Sequence, residues 1–396
     1  MKRNRTKPLS IYPGFISSLG GILSLLVCIR PGYAQQDTTA TADSLLIQQL
    51  QKELSPTQQP APQQAAPRSA ISSNPNMSVV GDFRAQYLTP ASRHFDAEFH
   101  EAELAIQSVV DPYARADFFL SVARDPESGK FGLDLEEGYL VTLDLPASLQ
   151  LKAGKFRSAF GKINPIHPHA LPYIDLPNVY MNYFGEEGLN DEGFSLSWLV
   201  PNPLEFYQEL TFEATRGPTD NASFVTSDVD RFLYLAHLKN FWDLTENATL
   251  ELGLSGTVGP NDSAYSTTLG GLDLTYKWKP LQYNTYRSLV LQAEAIWSNK
   301  KTAADQHVKS WGAYALAGYQ LDRRLFLTGR FDYSNVPDNA SYVERAYSAT
   351  LGWYATEFQK VELELKSTSS NAYTTDVNQV LLRSVFVIGA HGAHQY

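Results

Sequence analysis

The chain contains little cysteine, little charge and no long apolar run beyond its N-terminal part. Cys28 is its single cysteine, and 19% of its 396 residues are charged, whereas ordinary soluble domains carry roughly 25%. From Ser78 onward no stretch approaches the roughly 18 consecutive apolar residues of a membrane-spanning helix, so we predict no such helix there. The net charge of −10 argues against a broad nucleic-acid surface, and we expect no nucleic-acid partner.

Residues 1–34 have the three parts of a secretory signal peptide. Basic residues precede an apolar segment, and the stretch "PGYA" places a cleavage site after Ala34. An uncleaved anchor helix is the alternative, but Pro13, Gly14 and several serines interrupt the apolar segment. Cleavage would remove Cys28 and leave a chain without cysteine, which suits the oxidising periplasm. We predict an exported protein and not a cytosolic enzyme.

Residues 35–76 are rich in Gln, Ala, Pro, Ser and Thr, a composition typical of a disordered linker. Within this segment, "SLLIQQLQKEL" places Leu46, Leu50 and Leu54 on one face of a short predicted helix over 44–54. The helix is too short to be stable alone. Pairing with a partner helix is therefore an alternative to a simple periplasmic linker.

Beyond the linker, the dominant pattern is a strict alternation of apolar and polar residues. In "ATLELGLSGT", Leu250, Leu252 and Leu254 alternate with Glu251 and Ser255. A two-residue period places these two sets on opposite faces of a β-strand. About sixteen such runs occur, and they start near residues 78, 97, 112, 132, 148, 191, 204, 230, 247, 266, 287, 308, 324, 343, 359 and 379.

The connections between these runs alternate in length. Stretches such as "VVDPYA", "KWKPLQYN" and "QLDRRL" predict tight turns, whereas "RGPTDNASFVTSDVD", "SNKKTAADQH" and "SNVPDNAS" predict longer loops at the other end. This is the pattern of a transmembrane antiparallel β-barrel, because lipid requires a closed sheet with apolar side chains outside. A soluble β-sandwich is the alternative, but it explains the loop lengths poorly. We predict an all-β barrel of about 16 strands over residues 77–396.

An even strand count places both chain ends on the same side of the membrane, which we expect to be the periplasmic side of a Gram-negative outer membrane. The final strand keeps its alternation almost to Tyr396. In proteins of this class an aromatic last residue is the signal read by the barrel assembly machinery. The expected partners are this machinery, outer-membrane lipids and lipopolysaccharide. Aromatic residues near the short turns predict an interfacial girdle: Trp198, Trp242, Trp278, Tyr319, Trp353 and Tyr354.

The stretch "LQLKAGKFRSAFGKIN" resembles the Gly-x-Phe-(Lys/Arg)-x-x-Phe-Gly segment of the phosphate-selective porins O and P. The preceding "LEEGYLVTLDLP" is also similar to that superfamily. The chain departs from the pattern at Ala159, where proline is common. The resemblance implies a porin in which a strand ends here and enters a long constriction loop. The matched positions are Gly154, Lys155, Phe156, Arg157, Phe160 and Gly161.

The longest connection, residues 158–190, carries Pro165, Pro168, Pro172 and Pro177. Prolines stiffen a segment, which suits a fixed constriction better than a mobile lid. We expect this loop to fold into the lumen, and a cover over the outer surface is the alternative. Because sixteen strands enclose an aqueous lumen, we predict a porin for passive diffusion of small polar or charged solutes. A homotrimer is one option for its assembly.

Charged residues on the predicted inner face should line the pore. Acidic residues outnumber basic ones on this face, which predicts a weak preference for cations. The alternative is that these charges pair across the lumen and hold the wall together. The pore-lining and constriction candidates are Arg115, Asp117, Lys155, Arg157, Glu186, Glu187, Asp273, Lys277, Arg330 and Asp332.

His167 and His169 form a His-x-His pair in the long loop. Zinc binds histidine and carboxylate ligands, but a site needs third and fourth ligands, so the pair is a weak candidate. Hydrogen-bonded loop histidines are the simpler expectation, and we expect no metal and no cofactor.

No His-x-Ser pair or grouped catalytic set occurs in the sequence, so we do not expect an enzyme. A non-channel barrel, either structural, adhesive or a substrate-specific receptor, is the main alternative to a porin. A barrel enzyme is a weaker one.

Overall fold

The computed structural model describes residues 75–91, 94–124, 129–217, 221–225 and 231–389. In this part of the chain, sixteen antiparallel strands form one closed barrel, in which each strand pairs with its sequence neighbours and β1 pairs with β16. This confirms the predicted fold class and strand count. The strands are β1 Asn76–Thr89, β2 Phe95–Asp111, β3 Ala114–Arg124, β4 Phe131–Thr142, β5 Leu149–Arg157, β6 Asn190–Leu199, β7 Tyr207–Thr215, β8 Leu233–Thr245, β9 Ala248–Pro260, β10 Ser266–Trp278, β11 Leu289–Ala303, β12 Gln306–Asp322, β13 Leu325–Val336, β14 Asn339–Thr356, β15 Gln359–Ser370 and β16 Val377–Gly389.

The predicted signal peptide, the helix at 44–54 and Tyr396 lie outside the described residues, as does the linker up to residue 74. Where the structure describes the chain, no helix is long and apolar enough to cross a bilayer.

The alternation seen in the sequence becomes a polar inside and an apolar outside. On β9 and β10, Glu251, Asp273 and Thr275 are buried, whereas Leu254 and Leu274 on the opposite face are exposed. Large apolar side chains of the strands are exposed all around the barrel, up to 72% for Leu133 on β4. This reverses the arrangement of a soluble protein and matches a wall whose outer face contacts lipid.

Two of the predicted long loops are wrong. Only residues 304–305 separate β11 from β12, and only residues 337–338 separate β13 from β14. The polar stretches there continue the strands. Two antiparallel strands can keep their backbone N–H and C=O groups paired beyond the part of the barrel with an apolar outer face, because this pairing does not depend on the side chains. Conversely, residues 279–288 between β10 and β11 form a longer connection than the predicted turn, with a 3-10 turn over Leu281–Tyr283.

The connection between β5 and β6 is the longest one, as predicted. We call residues 158–189 the inner loop. It contains a 3-10 turn (Pro168–Ala170) and a short helix, α1 (Asn178–Phe184). Its apolar side chains form a buried cluster with side chains of the inner wall, so the largest apolar core of the described chain lies inside the barrel. The wall contributes Leu233, Leu235, Leu269, Ile296, Tyr314 and Leu316 to this cluster.

Candidate functional site: the inner loop and its contacts with the barrel wall

The inner loop crosses the interior of the barrel, because inward-facing side chains from opposite sides of the ring bind it. On one side, the Ala159 N–H donates to both carboxylate oxygens of Glu213 on β7, at 3.2 Å each. On the other side, the Ile174 N–H donates to Glu364 Oε2 on β15, at 2.7 Å. The loop therefore lies inside the wall and not over its outer surface.

The two ends of the inner loop are held together where it leaves and rejoins the wall. The Ser158 N–H donates to the Leu189 carbonyl at 2.8 Å. The Asn164 side chain reinforces this closure. Its amide group donates to the carbonyls of Ser158 and Leu189, and its oxygen accepts from the Leu189 N–H. We call the paired residues Ser158 and Leu189 the neck. The residues between them therefore leave the wall and return to it at nearly the same point.

Gly161 allows the sharp turn that directs the loop toward β11. Its φ is +62°, in the left-handed region, and a Cβ there would lie 2.3 Å from Glu294 Oε2 and 2.5 Å from the Tyr180 hydroxyl. A larger residue would meet both strain and a clash. Gly161, which is part of the sequence resemblance, is thus needed because the loop approaches the wall closely at this position.

Glu294 on β11 is a buried acceptor for the first half of the loop. Its carboxylate accepts from the Lys162 N–H at 3.0 Å, from the Tyr180 hydroxyl at 2.6 Å and from the Tyr314 hydroxyl at 2.5 Å. Burial, together with the nearby Glu294 charge, raises the pKa of the Tyr180 phenol far above its usual range, so Tyr180 stays a donor. These bonds hold both the turn and α1 against the same strand.

Asp175 fixes the second half of the loop through two basic residues of the wall. Arg330 on β13 donates to the Asp175 carboxylate and to its carbonyl, each at 2.9 Å. Lys366 on β15 donates to the other carboxylate oxygen. Burial alone would raise the pKa of the Asp175 carboxyl, but the charges of Arg330 and Lys366 outweigh it and hold the pKa below its usual range. The Arg330 guanidinium also lies 4.6 Å above the Tyr173 ring.

Arg383 on β16 binds the backbone of the same region. It donates to the carbonyls of Pro168, Leu171 and Tyr173 at 2.8–3.1 Å and to Glu362 at 2.7 Å. One fully buried guanidinium thus binds three backbone carbonyls of the proline-rich segment.

A cluster of acidic residues and histidines lies where the loop passes β2 and β4. The register between β3 and β4 shifts after Phe119, so Glu136 has no partner in the ladder, and both Glu136 and Glu137 are buried. Such a bulge breaks the alternation of faces. His167 Nε2 lies 2.6 Å from Glu137 Oε1, and His167 Nδ1 lies 2.8 Å from Glu103 Oε2.

Nine of the ten pore residues predicted from the sequence fall into three groups. Arg157, Arg330 and Asp332 are buried beside the inner loop, and Asp273 is buried on the inner wall. Arg115 pairs with Asp117 on the same strand at 2.6 Å, and Lys155 donates to the Leu135 carbonyl at 2.6 Å. The side chains of Glu186 and Glu187 are exposed at the end of the loop, although the Glu187 carbonyl accepts from Arg157.

Lys277 belongs to a half-buried group of side chains around Glu251 in the barrel interior. This group is more exposed to solvent than the buried carboxylates Glu213, Glu294 and Glu364, which bind the loop. Lys162 and Lys239 lie 2.8 Å and 3.8 Å from the Glu251 carboxylate, and Lys277 is close to both. We call Lys162, Lys239 and Lys277 the lysine group.

Sequence reasoning did not single out Glu137 or Lys360, and it gave Asp175 no role in holding the loop. Glu137 faces inward only because of the bulge, and Asp175 is identified only by its partners Arg330 and Lys366, which are distant in sequence. Lys360, which donates to the Leu171 carbonyl at 3.0 Å, could have been found because it shares the face of Glu362 and Glu364.

Comparison with solved structures shows the same type of barrel. The outer membrane channel DcaP of Acinetobacter baumannii superposes with a TM-score of 0.56 at 12% identity, covering 79% of this chain and 97% of DcaP. An anion-selective porin from Comamonas acidovorans gives 0.55 at 10% identity (80% and 99%). OmpT of Vibrio cholerae in its trimer form gives 0.53 at 7% (80% and 100%). The fold is therefore that of a porin-like outer-membrane barrel.

Comparison of sequences gives one family assignment. No protein-family model matches the chain. A protein of Aquifex aeolicus (strain VF5), described as an uncharacterized protein, is 30% identical over 340 residues, which cover 74% of this chain and 69% of the relative. The chain belongs to the same family as this Aquifex aeolicus protein.

Proposed function

We propose that the chain is an outer-membrane porin, a passive diffusion channel for small polar or charged solutes that the inner loop narrows. The observation that carries this proposal is the inner loop itself, which is bound to β7 on one side of the barrel interior and to β15 on the other. A loop held in this way sets the width of the remaining path. The segment over 149–161, which comprises β5 and the start of the inner loop, supports a relation to the phosphate-selective porins O and P.

The proposal includes the location and orientation of the barrel. The exposed apolar face fits the lipids and lipopolysaccharide of a bacterial outer membrane, and the chain would reach it through the barrel assembly machinery. Both chain ends would be periplasmic, after a signal peptide over 1–34 and a linker over 35–76. A homotrimer is part of the proposal, and the trimeric Vibrio cholerae OmpT supports it by fold alone.

The inner loop changes the expected ion preference. Many of the acidic residues that suggested a cation preference bind the loop, as Glu213, Glu294 and Glu364 do through loop N–H groups. The half-buried lysine group is left nearer to water. We therefore favour a weak preference for anions, in line with the anion-selective porin among the similar folds.

A barrel closed by the loop is the second candidate, and one observation favours it. Phe160, Tyr183 and Phe184 of the loop pack tightly against the wall, and many inward polar side chains around them are fully buried. A substrate-specific receptor or a structural barrel would need no open path.

Single-channel recording separates the two candidates. The full chain, purified in detergent and inserted into planar bilayers, should give discrete conductance steps that grow with salt concentration. Liposomes that contain it should swell in small sugars and not in large ones. Correctly folded barrels that insert without conductance would support the closed barrel and contradict the porin.

A further inference from the structure

We infer that Glu103, His167 and His169 bind a divalent transition-metal ion of the zinc class, at the point where the inner loop passes β2 and β4. All three side chains are buried, and one ligand atom from each lies within 4.8 Å of the others. The site is separate from solute passage, so it stands or falls independently of the porin proposal.

The chain positions these ligands from two directions. Glu103 projects from β2, whereas His167 and His169 flank Pro168 at a 3-10 turn of the inner loop. His167 Nδ1 and His169 Nδ1 lie 2.8 Å and 3.6 Å from the same oxygen, Glu103 Oε2. Two imidazole nitrogens and a carboxylate oxygen converging on one point form a common donor set for zinc, with a fourth position for water.

Glu137 supplies the second feature of a metal site. Its Oε1 lies 2.6 Å from His167 Nε2. A carboxylate on one ring nitrogen holds the proton there and directs the lone pair of the other nitrogen, here Nδ1, toward a metal. The β4 bulge that turns Glu137 inward is therefore what would orient the His167 ligand.

The charge around this point also favours a cation. Glu103, Glu136 and Glu137 are each at most 6% exposed. Besides the two histidines, the basic side chain among the described residues that pairs with one of them is Arg157, 2.5 Å from Glu136 Oε1. Among the described residues, neither oxygen of Glu103 accepts a hydrogen bond of good geometry. Buried carboxylates with too little positive charge are costly, and a divalent ion would neutralise them.

The ligand chemistry selects the class of ion. Calcium and magnesium prefer all-oxygen sites, whereas imidazole nitrogen together with a carboxylate suits zinc and related transition metals. A protonated His167 held between the glutamates, with no metal, is the competing arrangement, and the experiment is designed to separate the two.

The test uses the full mature chain without a histidine tag, refolded in detergent, treated with chelator and titrated with Zn²⁺ by calorimetry. Co²⁺ is the second probe, because its visible absorption intensifies in a tetrahedral site with nitrogen ligands. We expect saturable binding of about one ion per chain and intense Co²⁺ bands. His169→Ala and Glu103→Gln should abolish both signals, and Glu137→Gln should weaken binding about 10–100-fold.

His307→Ala is the matched control, since His307 is an exposed histidine on β12 far from the cluster in the barrel order. It should leave both signals unchanged. Resistance of each variant to unfolding in SDS without heating verifies that the barrel is intact. The inference is overturned if the folded wild-type chain binds neither ion, or if His169→Ala and Glu103→Gln bind as well as wild type; His167 is then a protonated partner of the glutamates.

Discussion

At the scale of single residues, a few positions decide whether the inner loop stays inside the barrel. Gly161 brings the loop against β11, and Asp175 joins it to β13 and β15. Each relies on partners that are distant in sequence, so its importance is visible only in the folded chain. Two predictions follow from these contacts.

Gly161→Ala should loosen the first half of the loop. The new Cβ would displace Glu294 Oε2 and the Tyr180 hydroxyl, and its left-handed φ costs about 1–2 kcal/mol in addition. We expect faster proteolysis within the loop and noisier single-channel currents. Gly129→Ala is the control, because its φ of +68° is also positive, but the added Cβ would lie no nearer than 3.4 Å to any atom, the end of the exposed Arg124 side chain. Equal effects of the two substitutions would contradict the role of the contact.

Asp175 should make the loop acid-sensitive. Its pKa is lowered in the folded state, so its ion pairs stabilise the docked loop fully above the ordinary aspartate pKa of about 3.9 and are lost as the pH falls through the lower folded value. Glu364 and Asp332 face the same group of charges. We expect channel noise and protease sensitivity of the loop to rise below about pH 4.

Asp175→Asn should show this loose behaviour at neutral pH and lose the acid transition. It removes the carboxylate that pairs with the buried Lys366 and leaves Arg330 with Asp332 as its nearest carboxylate, and breaking such a buried pair costs about 3–5 kcal/mol. Asp305→Asn, at an exposed turn, is the control. If the acid transition persisted in Asp175→Asn, other carboxylates would be its cause.

At the scale of elements, the sequence predicts what is local and misses what is distant. The two-residue period is local, and the predicted starts of β10 and β15, residues 266 and 359, coincide with the observed ones. The bulge at Glu136 depends on how β3 and β4 pair, and the apolar inward positions Leu235 and Leu269 depend on the loop that packs against them. Neither could be derived from one strand alone.

The hairpin turns give the element-scale prediction, which concerns orientation. An epitope tag inserted at the turn 304–305 should be labelled on intact cells, because this turn would be extracellular in the proposed topology. The same tag at the turn 323–324, at the opposite end of the barrel, should be labelled only after the outer membrane is permeabilised. The reverse pattern of labelling would invert the proposed orientation.

At the scale of the whole molecule, the acidic and basic side chains of the barrel interior differ in their contacts and their accessibility. Buried acidic groups bind the inner loop, whereas the half-buried lysine group lies around Glu251. We expect reversal potentials in a salt gradient to show a weak anion preference. Replacing Lys239 and Lys277 by glutamate should reverse it, and replacing the exposed Lys279 should not. A cation preference of the wild-type channel would contradict this expectation. It would support the preference predicted from the excess of acidic residues on the inner face.

The inner loop, held inside the wall, should narrow a conducting path, and deletion of residues 163–185 is the test of this role. The neck formed by Ser158 and Leu189 can still close over the shortened segment, because neither partner of its 2.8 Å hydrogen bond is deleted, although the deletion removes the bonds of Asn164. The measurement is single-channel conductance of the deletion variant beside wild type, with barrel assembly verified by SDS resistance. We expect a several-fold rise in conductance. An unchanged conductance in an assembled barrel would contradict it, and the constriction would then have to lie on the barrel wall.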